Sequence, residues 1–280
     1  MKVLYIENMI NQHYETIESV IVKYRDIIGD IDVDHVYLNC LFDKMPEFRE
    51  YITRKYPDII IGTPDEYDYY INCTVYPCDY HKIESEKNSD SNFYICHRNK
   101  RYNDWSNVVY CLPTKTNRHI VFDQLPFMNE PKNKPDKPVF IIQGRPAARS
   151  HQLLAAMLEN NMHLDFVIKI IGKGKVPDPL TKIIDQSNGK IYINNRLDFL
   201  GYHKEFLGAT HLLPMITKHE HPSYYHDCLT SSINYAKAYN LCCILDQELQ
   251  NIYNVSNAVV YNNGDHLNNI FNKTVSHERT

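Results

Sequence analysis

The stretch Pro138–Lys175, PVFIIQGRPAARSHQLLAAMLENNMHLDFVIKIIGKGK, constrains this chain most, because it reads as strand, turn, helix, strand and turn with no contradicting residue. Val139–Gln143 is a short apolar run stopped by Gly144, and Phe166–Ile171 is a second one stopped by Gly172. Runs of that length ending at glycine suit buried parallel strands. Between them Leu153, Leu154, Met157 and Leu158 fall on one helical face, with His151, Gln152, Glu159 and Asn160 elsewhere. The unit is βαβ, and ligands of open α/β sheets bind beyond the carboxyl ends of the strands. Here those ends carry Gly144-Arg145-Pro146 and Gly172-Lys173-Gly174-Lys175, so the expected ligand is an anion, most naturally one with phosphate.

The rest of the chain extends the pattern. Strands are expected at Lys2–Ile6, Asp34–Cys40, Asp58–Gly62, Tyr69–Tyr76, Ser91–His97, Asn107–Leu112 and Ile120–Phe122. Ile17, Val20, Ile21 and Tyr24 repeat at helix spacing, and Pro46–Tyr56 reads as a second helix. Met128–Lys137 is polar, lysine-rich and proline-containing, the composition of a linker. Beyond the central unit come strands at Lys190–Ile193, His211–Ile216, Leu241–Leu245 and Ala258–Tyr261, and helices near Tyr202–Leu207 and Cys228–Tyr239. The reading is therefore an α/β protein of two halves: a domain at 1–128, a linker at 129–137 and a domain at 138–280.

Composition narrows the function classes. Thirty Lys and Arg stand against 34 Asp and Glu, a net charge of −4, so no global basic field favours non-specific nucleic-acid binding. The 22 tyrosines are spread through both halves and are not gathered on a basic face, so nucleic acid is not an expected partner. Eight scattered cysteines form no disulfide framework, which fits a reducing compartment. No run approaches the roughly 20 apolar residues of a membrane helix, and the short apolar start is interrupted at Glu7, so a cytoplasmic protein is expected.

Four segments of the second half, taken in order, resemble the nucleotide-sugar-binding domain of GT-B glycosyltransferases. They are GRPAARSHQLLAAM at Gly144–Met157, IIGKG at Ile170–Gly174, LDFLGYHKEFLGATHLLPMI at Leu197–Ile216 and PSYYHDCLTSSINYAKAYNLCCI at Pro222–Ile244. The resemblance implies two Rossmann-like domains facing each other across a cleft, and transfer of a sugar from a nucleotide-diphosphate sugar to an acceptor, with neither metal nor cofactor. It implies that Arg145 and Arg149 neutralise the donor diphosphate, helped by amides of the helix containing Thr230, Ser231 and Ser232. Gly144, Gly172, Lys173 and Gly174 would form the donor turns, and Arg196 and Leu197 would lie on the base side. Phosphate chemistry agrees independently, since arginine forks and hydroxyl-rich helix starts both suit phosphate oxygens. The plainer alternative is that the arginines are solvated loop cations and the hydroxyls only cap a helix.

One departure bears on mechanism. Many retaining members carry two glutamates in the donor segment; aligned from the Pro-Ser turn, these positions hold His226 and Asn234, the donor sugar side, and neither is acidic. Aligned from the buried strand, the second falls near Tyr235. Retention and inversion both stay open, as do a nucleotide-sugar epimerase of the same fold and a relative that binds donor without turnover.

The acceptor half must be read from strand ends. His97 closes SNFYICHR and is the candidate general base, because an imidazole titrates near working pH; Asp123 and His13 are lesser candidates. Cys73, Cys78, His81 and Cys96 lack the spacing of a zinc knuckle. His219, Glu220, His221 and His226 read as a solvated loop.

Overall fold

A computed structural model describes residues 1–9, 14–74, 85–86, 89–97, 106–111, 135–226 and 228–277. The chain divides into two compact units, Met1–Leu125 with His226–Leu229, and Pro126–Tyr225 with Thr230–Thr280. The expected strand at 120–122, Asp123, His13, Cys78 and His81 lie outside the described residues, as does the expected linker apart from its last three positions.

The first unit is a six-stranded parallel sheet. Its strands are β1 (Val3–Asn8), β2 (His35–Cys40), β3 (Ile59–Ile61), β4 (Tyr69–Asn72), β5 (Asn92–Cys96) and β6 (Val108–Tyr110), in the order β3-β2-β1-β4-β5-β6. Side chains alternate across a strand, and the two faces differ in chemistry. Leu4, Ile6, Leu38 and Ile71 are fully buried on one face, while Tyr5 and Tyr70 pack on the other with Tyr94. Helix α1 (Tyr14–Ile28) buries Ile17, Val20 and Ile27 and kinks at Lys23. It is tied to α2 (Pro46–Lys55) and the residue beyond it by the buried Glu18 carboxylate, which accepts from Tyr51 Oη at 2.7 Å, Lys55 Nζ at 2.7 Å and Tyr56 Oη at 2.9 Å. Three donors compensate a charge that burial would otherwise penalise. No helix separates β3 from β4. Their connection uses the tyrosine face instead, with Thr63 accepting from Asn39 at 3.0 Å and the Tyr67 ring 5.6 Å from Tyr5.

The second unit repeats the plan. Along the chain run β7 (Val139–Gln143), α3 (His151–Leu158), β8 (Val167–Ile171), α4 (Asp178–Asp185), β9 (Ile191–Asn194), α5 (Phe199–Leu207) and β10 (His211–Leu212). They are followed by α6 (Ser223–His226), α7 (Ser231–Ala238), β11 (Cys242–Asp246), α8 (Gln247–Tyr253), β12 (Ala258–Tyr261) and α9 (Gly264–His277). The parallel order β12-β11-β10-β7-β8-β9 is that of the first unit once each unit's strands are numbered separately. Both sheets are therefore doubly wound, with the order reversing between the first and fourth strand. Strand β7 is buried along its whole length, as expected of an apolar run covered on both faces. Phe140, Phe166 and Phe271 bring strand, loop and the last helix into one core, with ring centroids 4.9 Å apart in each pair around Phe271.

The strand expected over His211–Ile216 is shorter in the structure. Pro214 has no N–H to give a ladder, and Met215 adopts a left-handed φ of 49°, so the chain leaves the sheet after Leu212. That exit places the Met215 carbonyl where it accepts from the Ser150 N–H at 2.8 Å.

Candidate functional site

The order reversal of the second sheet lies between β7 and β10, and the turn leaving β7 is built around glycine. Gly144 (φ 116°) and Gly172 (φ 155°) end adjacent strands in backbone conformations that L-residues rarely adopt. Their close approach also requires glycine: a Cβ on Gly172 would lie 2.1 Å from the Gly144 carbonyl oxygen. A Cβ on Gly144 would lie 2.0 Å from Arg149 Nη2, so the guanidinium occupies the space its absence leaves.

Arg149 is 8% exposed, and its guanidinium is fixed on three sides. Nε and Nη2 donate to the Gln143 carbonyl at 2.8 and 2.5 Å, Nη1 to the Ala148 carbonyl at 2.7 Å, and Nη2 to Ser232 Oγ at 3.3 Å. Ser232 in turn donates to Gln143 Oε1 at 2.7 Å, and Gln143 Nε2 lies 3.4 Å from Ser231 Oγ. Strand β7, the turn and the start of α7 thus converge on one cation. Burial lowers the Arg149 pKa from its ordinary value, with the nearby Tyr224 and Tyr202 hydroxyls acting the other way. None of the ion pairs among the described residues includes Arg149. A buried cation held only by neutral dipoles is a site that an anion would complete.

Helix α7 adds to this chemistry. The backbone N–H of Thr230, its N-cap, donates to Tyr253 Oη at 3.0 Å, and the Thr230 side chain makes no capping bond. Among the described residues, Thr230 Oγ1 and Asn234 Nδ2 are buried without a hydrogen-bond partner, one turn apart on the same helix. The first turn of a helix carries unpaired N–H groups and a partial positive charge.

The other expected donor residues are placed less centrally. Arg145, Lys173 and Gly174 are exposed on the two turns, and Arg196 is exposed with Leu197 half-buried just before α5. His226 is exposed at the end of α6, whereas Asn234 is buried within α7. Tyr235 is also buried, its ring stacked on Phe206 at 4.7 Å.

In the first unit His97 follows the carboxyl end of β5. Its Nε2 lies 3.3 Å from the Cys73 carbonyl and 3.4 Å from Thr74 Oγ1, and its Nδ1 lies 3.9 Å from Cys111 Sγ. The imidazole is held at strand ends, half-buried. Near the end of β1, Glu7 accepts from Tyr5 Oη at 2.8 Å and from Tyr70 Oη at 2.5 Å, placing a carboxylate on the tyrosine face. Among the described residues no group of three His, Cys, Asp or Glu side chains is placed to hold a metal ion, and no helix is long and apolar enough to cross a membrane.

No protein-family model and no curated protein matches the sequence. Solved structures match along the whole chain. A glycosyltransferase from Rickettsia africae ESF-5 is similar at 13% identity and a TM-score of 0.55, covering 99% of this chain and 92% of that one. AviGT4, a glycosyltransferase involved in avilamycin A biosynthesis, is similar at 11% identity and a TM-score of 0.60, covering 99% and 88%. The lipopolysaccharide outer core galactosyltransferase WaaB is similar at 12% identity and a TM-score of 0.53, covering 100% and 92%. The chain has a GT-B glycosyltransferase-like fold. At these identities the likeness concerns strand order and helix placement, not the reaction.

Within this GT-B-like fold, several residues at the turn escaped the sequence reading. Gln143 is one, and its signal was a polar residue closing the apolar run VFIIQ. Tyr202 and Tyr224 carried no signal among so many tyrosines. The loop reading of the histidine cluster needs correction at two positions: His219 and Glu220 are exposed as expected, but His226, though exposed, ends helix α6, and His221 is half-buried and close enough to feel the charge of Arg149.

Proposed function

We propose that this protein is a glycosyltransferase that moves a sugar from a nucleotide-diphosphate sugar to an acceptor without a metal ion. The observation that carries the reading is the buried Arg149, unpaired by any described carboxylate and set beside the start of α7 at the order reversal of a doubly wound sheet. In this reading Arg149 and the α7 amides take the diphosphate, and Arg145 and Lys173 add charge from the two turns. Arg196 and Leu197 border the base, and Asn234 and His226 face the sugar side. On the acceptor side His97 serves as general base, since it is a titratable group at a strand end of the first sheet.

A second reading is a relative that binds the donor without turnover. It is favoured by the absence of an acidic side chain at 226, 234 and 235. Calorimetry and thermal shift with nucleoside diphosphates and nucleotide sugars test the binding common to both, because a ligand of the native state raises its melting temperature. Arg149→Ala should weaken binding by roughly 10- to 100-fold, the equivalent of about 1.5–3 kcal/mol for a charged hydrogen bond. Unchanged affinity in a folded variant removes Arg149 from the site. Release of free nucleotide in the presence of candidate acceptors, with chelator added, then separates transfer from binding alone; loss of both on chelation counts against the metal-free reading.

A further inference from the structure

Gln143 closes β7, and its backbone and side chain serve two different partners. Alternate carbonyls of β7 point toward β10: that of Val139 accepts from the Thr210 N–H at 2.9 Å, and that of Ile141 from the Leu213 N–H at 2.8 Å. The Gln143 carbonyl is next in this series. Because the chain leaves the sheet after Leu212, the ladder stops one step short of it, and side chains take its place. Arg149 donates to it through Nε at 2.8 Å and Nη2 at 2.5 Å, and Ser232 Oγ lies 3.2 Å away. The early exit of β10 is thus what gives the guanidinium its anchor.

The side-chain amide holds the helix. Ser232 Oγ receives Arg149 Nη2 at 3.3 Å, so its own proton is free to go to Gln143 Oε1 at 2.7 Å, while Gln143 Nε2 lies 3.4 Å from Ser231 Oγ. One residue, 8% exposed, therefore fixes the cation by its carbonyl and the first two residues of α7 by its amide. It does so without charge. A carboxylate at the same position would stand one hydroxyl away from the guanidinium, in a buried setting where opposite charges attract strongly. The other titratable groups that act on Arg149 or feel its charge are Tyr224 of α6, Tyr202 of α5 and His221 in the loop after β10, none of them a carboxylate.

We propose that Gln143 is the positioning residue of this site: it sets the guanidinium and the start of α7 against each other, and its neutrality leaves Arg149 free to take an anion. The inference rests on the reading of Arg149 as the diphosphate residue. It adds that residue 143 must bridge the two parts and must be uncharged.

The test uses the full-length protein and sulfate, an anion with no proton to exchange between pH 5 and 8. Affinity is measured by calorimetry across that range for wild type, Q143E and Q143M. Q143E keeps an acceptor for Ser232 and adds a titratable charge; Q143M keeps the length and removes both side-chain bonds. At pH 8 Q143E should bind sulfate at least about tenfold more weakly than wild type, and the gap should close by up to about tenfold per pH unit as its carboxyl group takes a proton. Q143M should bind more weakly by a constant factor at every pH, and hydrogen exchange should quicken at the first turn of α7. A purely structural role would weaken Q143E and Q143M in parallel across the range, and that outcome overturns the inference, as does wild-type affinity in Q143M. Should Q143E not fold, Q143M alone decides. R149K tests the reading beneath: undiminished sulfate binding there, or none in wild type, means that the Arg149 assignment fails and the role of Gln143 with it. Loss of binding in R149K with wild-type affinity in Q143E and Q143M means that only the role of Gln143 fails.

Discussion

At the scale of single residues, the site depends on atoms that are absent. Gly144 makes room for a guanidinium and Gly172 makes room for the Gly144 carbonyl, so the turn beside Arg149 is two glycines deep. Gly172→Ala must both enter a strained φ and displace that carbonyl. The strain alone costs about 1–3 kcal/mol. The variant should unfold at lower urea, and because the Gly144 backbone borders Arg149, it should also show a smaller thermal shift with pyrophosphate. An unchanged midpoint would mean the two turns are not in contact. The glycines were legible in the sequence because each ends an apolar run. The partner of Gly144 was not, since nothing in a string of letters says that Arg149, five residues on, folds back over it.

At the scale of elements, legibility followed local chemistry. Strand β7 and helix α3 lie where the apolar run and the helical repeat placed them, and Ser150 caps α3 by accepting from the Leu153 N–H at 3.2 Å. Helix α9 escaped the sequence reading, because its apolar residues are diluted by asparagines whose use is tertiary. Asn268 Nδ2 donates to the carbonyls of Ala156 at 2.9 Å and Met157 at 3.2 Å, and also to Glu159, satisfying acceptors that the end of α3 leaves open. Asn272 Nδ2 donates to Asn161 Oδ1 at 2.9 Å, and Asn161 Nδ2 to the Met157 carbonyl at 2.9 Å. Asparagine at these positions therefore joins two helices through one helix terminus. Asn268→Ala should destabilise the second unit by about 0.5–1.5 kcal/mol, the net range for losing a hydrogen bond, since the Met157 carbonyl keeps Asn161 and the other acceptors are part-buried or exposed. Hydrogen exchange should quicken first at the last turn of α3; an effect confined to α9 would show that the asparagine serves its own helix only.

At the scale of the whole molecule, two sheets with the same strand order carry different polar interiors, and this makes their pH responses separable. In the second unit His211 on β10 is buried, stacked on Phe140 at 4.8 Å, with Nδ1 2.7 Å from Thr210 Oγ1. Burial pushes its pKa down to about 4 from the usual 6.5. A histidine whose folded pKa lies below its unfolded one binds fewer protons when folded. Its contribution is therefore fully present above about pH 6.5 and is lost as pH falls toward 4, for a total of about 3 kcal/mol. His221, shifted the same way, adds to the slope. Chemical denaturation followed by hydrogen exchange between pH 7 and 4 should thus show the strands around β10 losing protection as acid is added. His211→Phe keeps an aromatic ring against Phe140 and removes the titration, so most of the acid sensitivity of those strands should go with it. If the variant and wild type lose protection in parallel, the acid response of this unit arises from other groups and the buried imidazole is not its sensor.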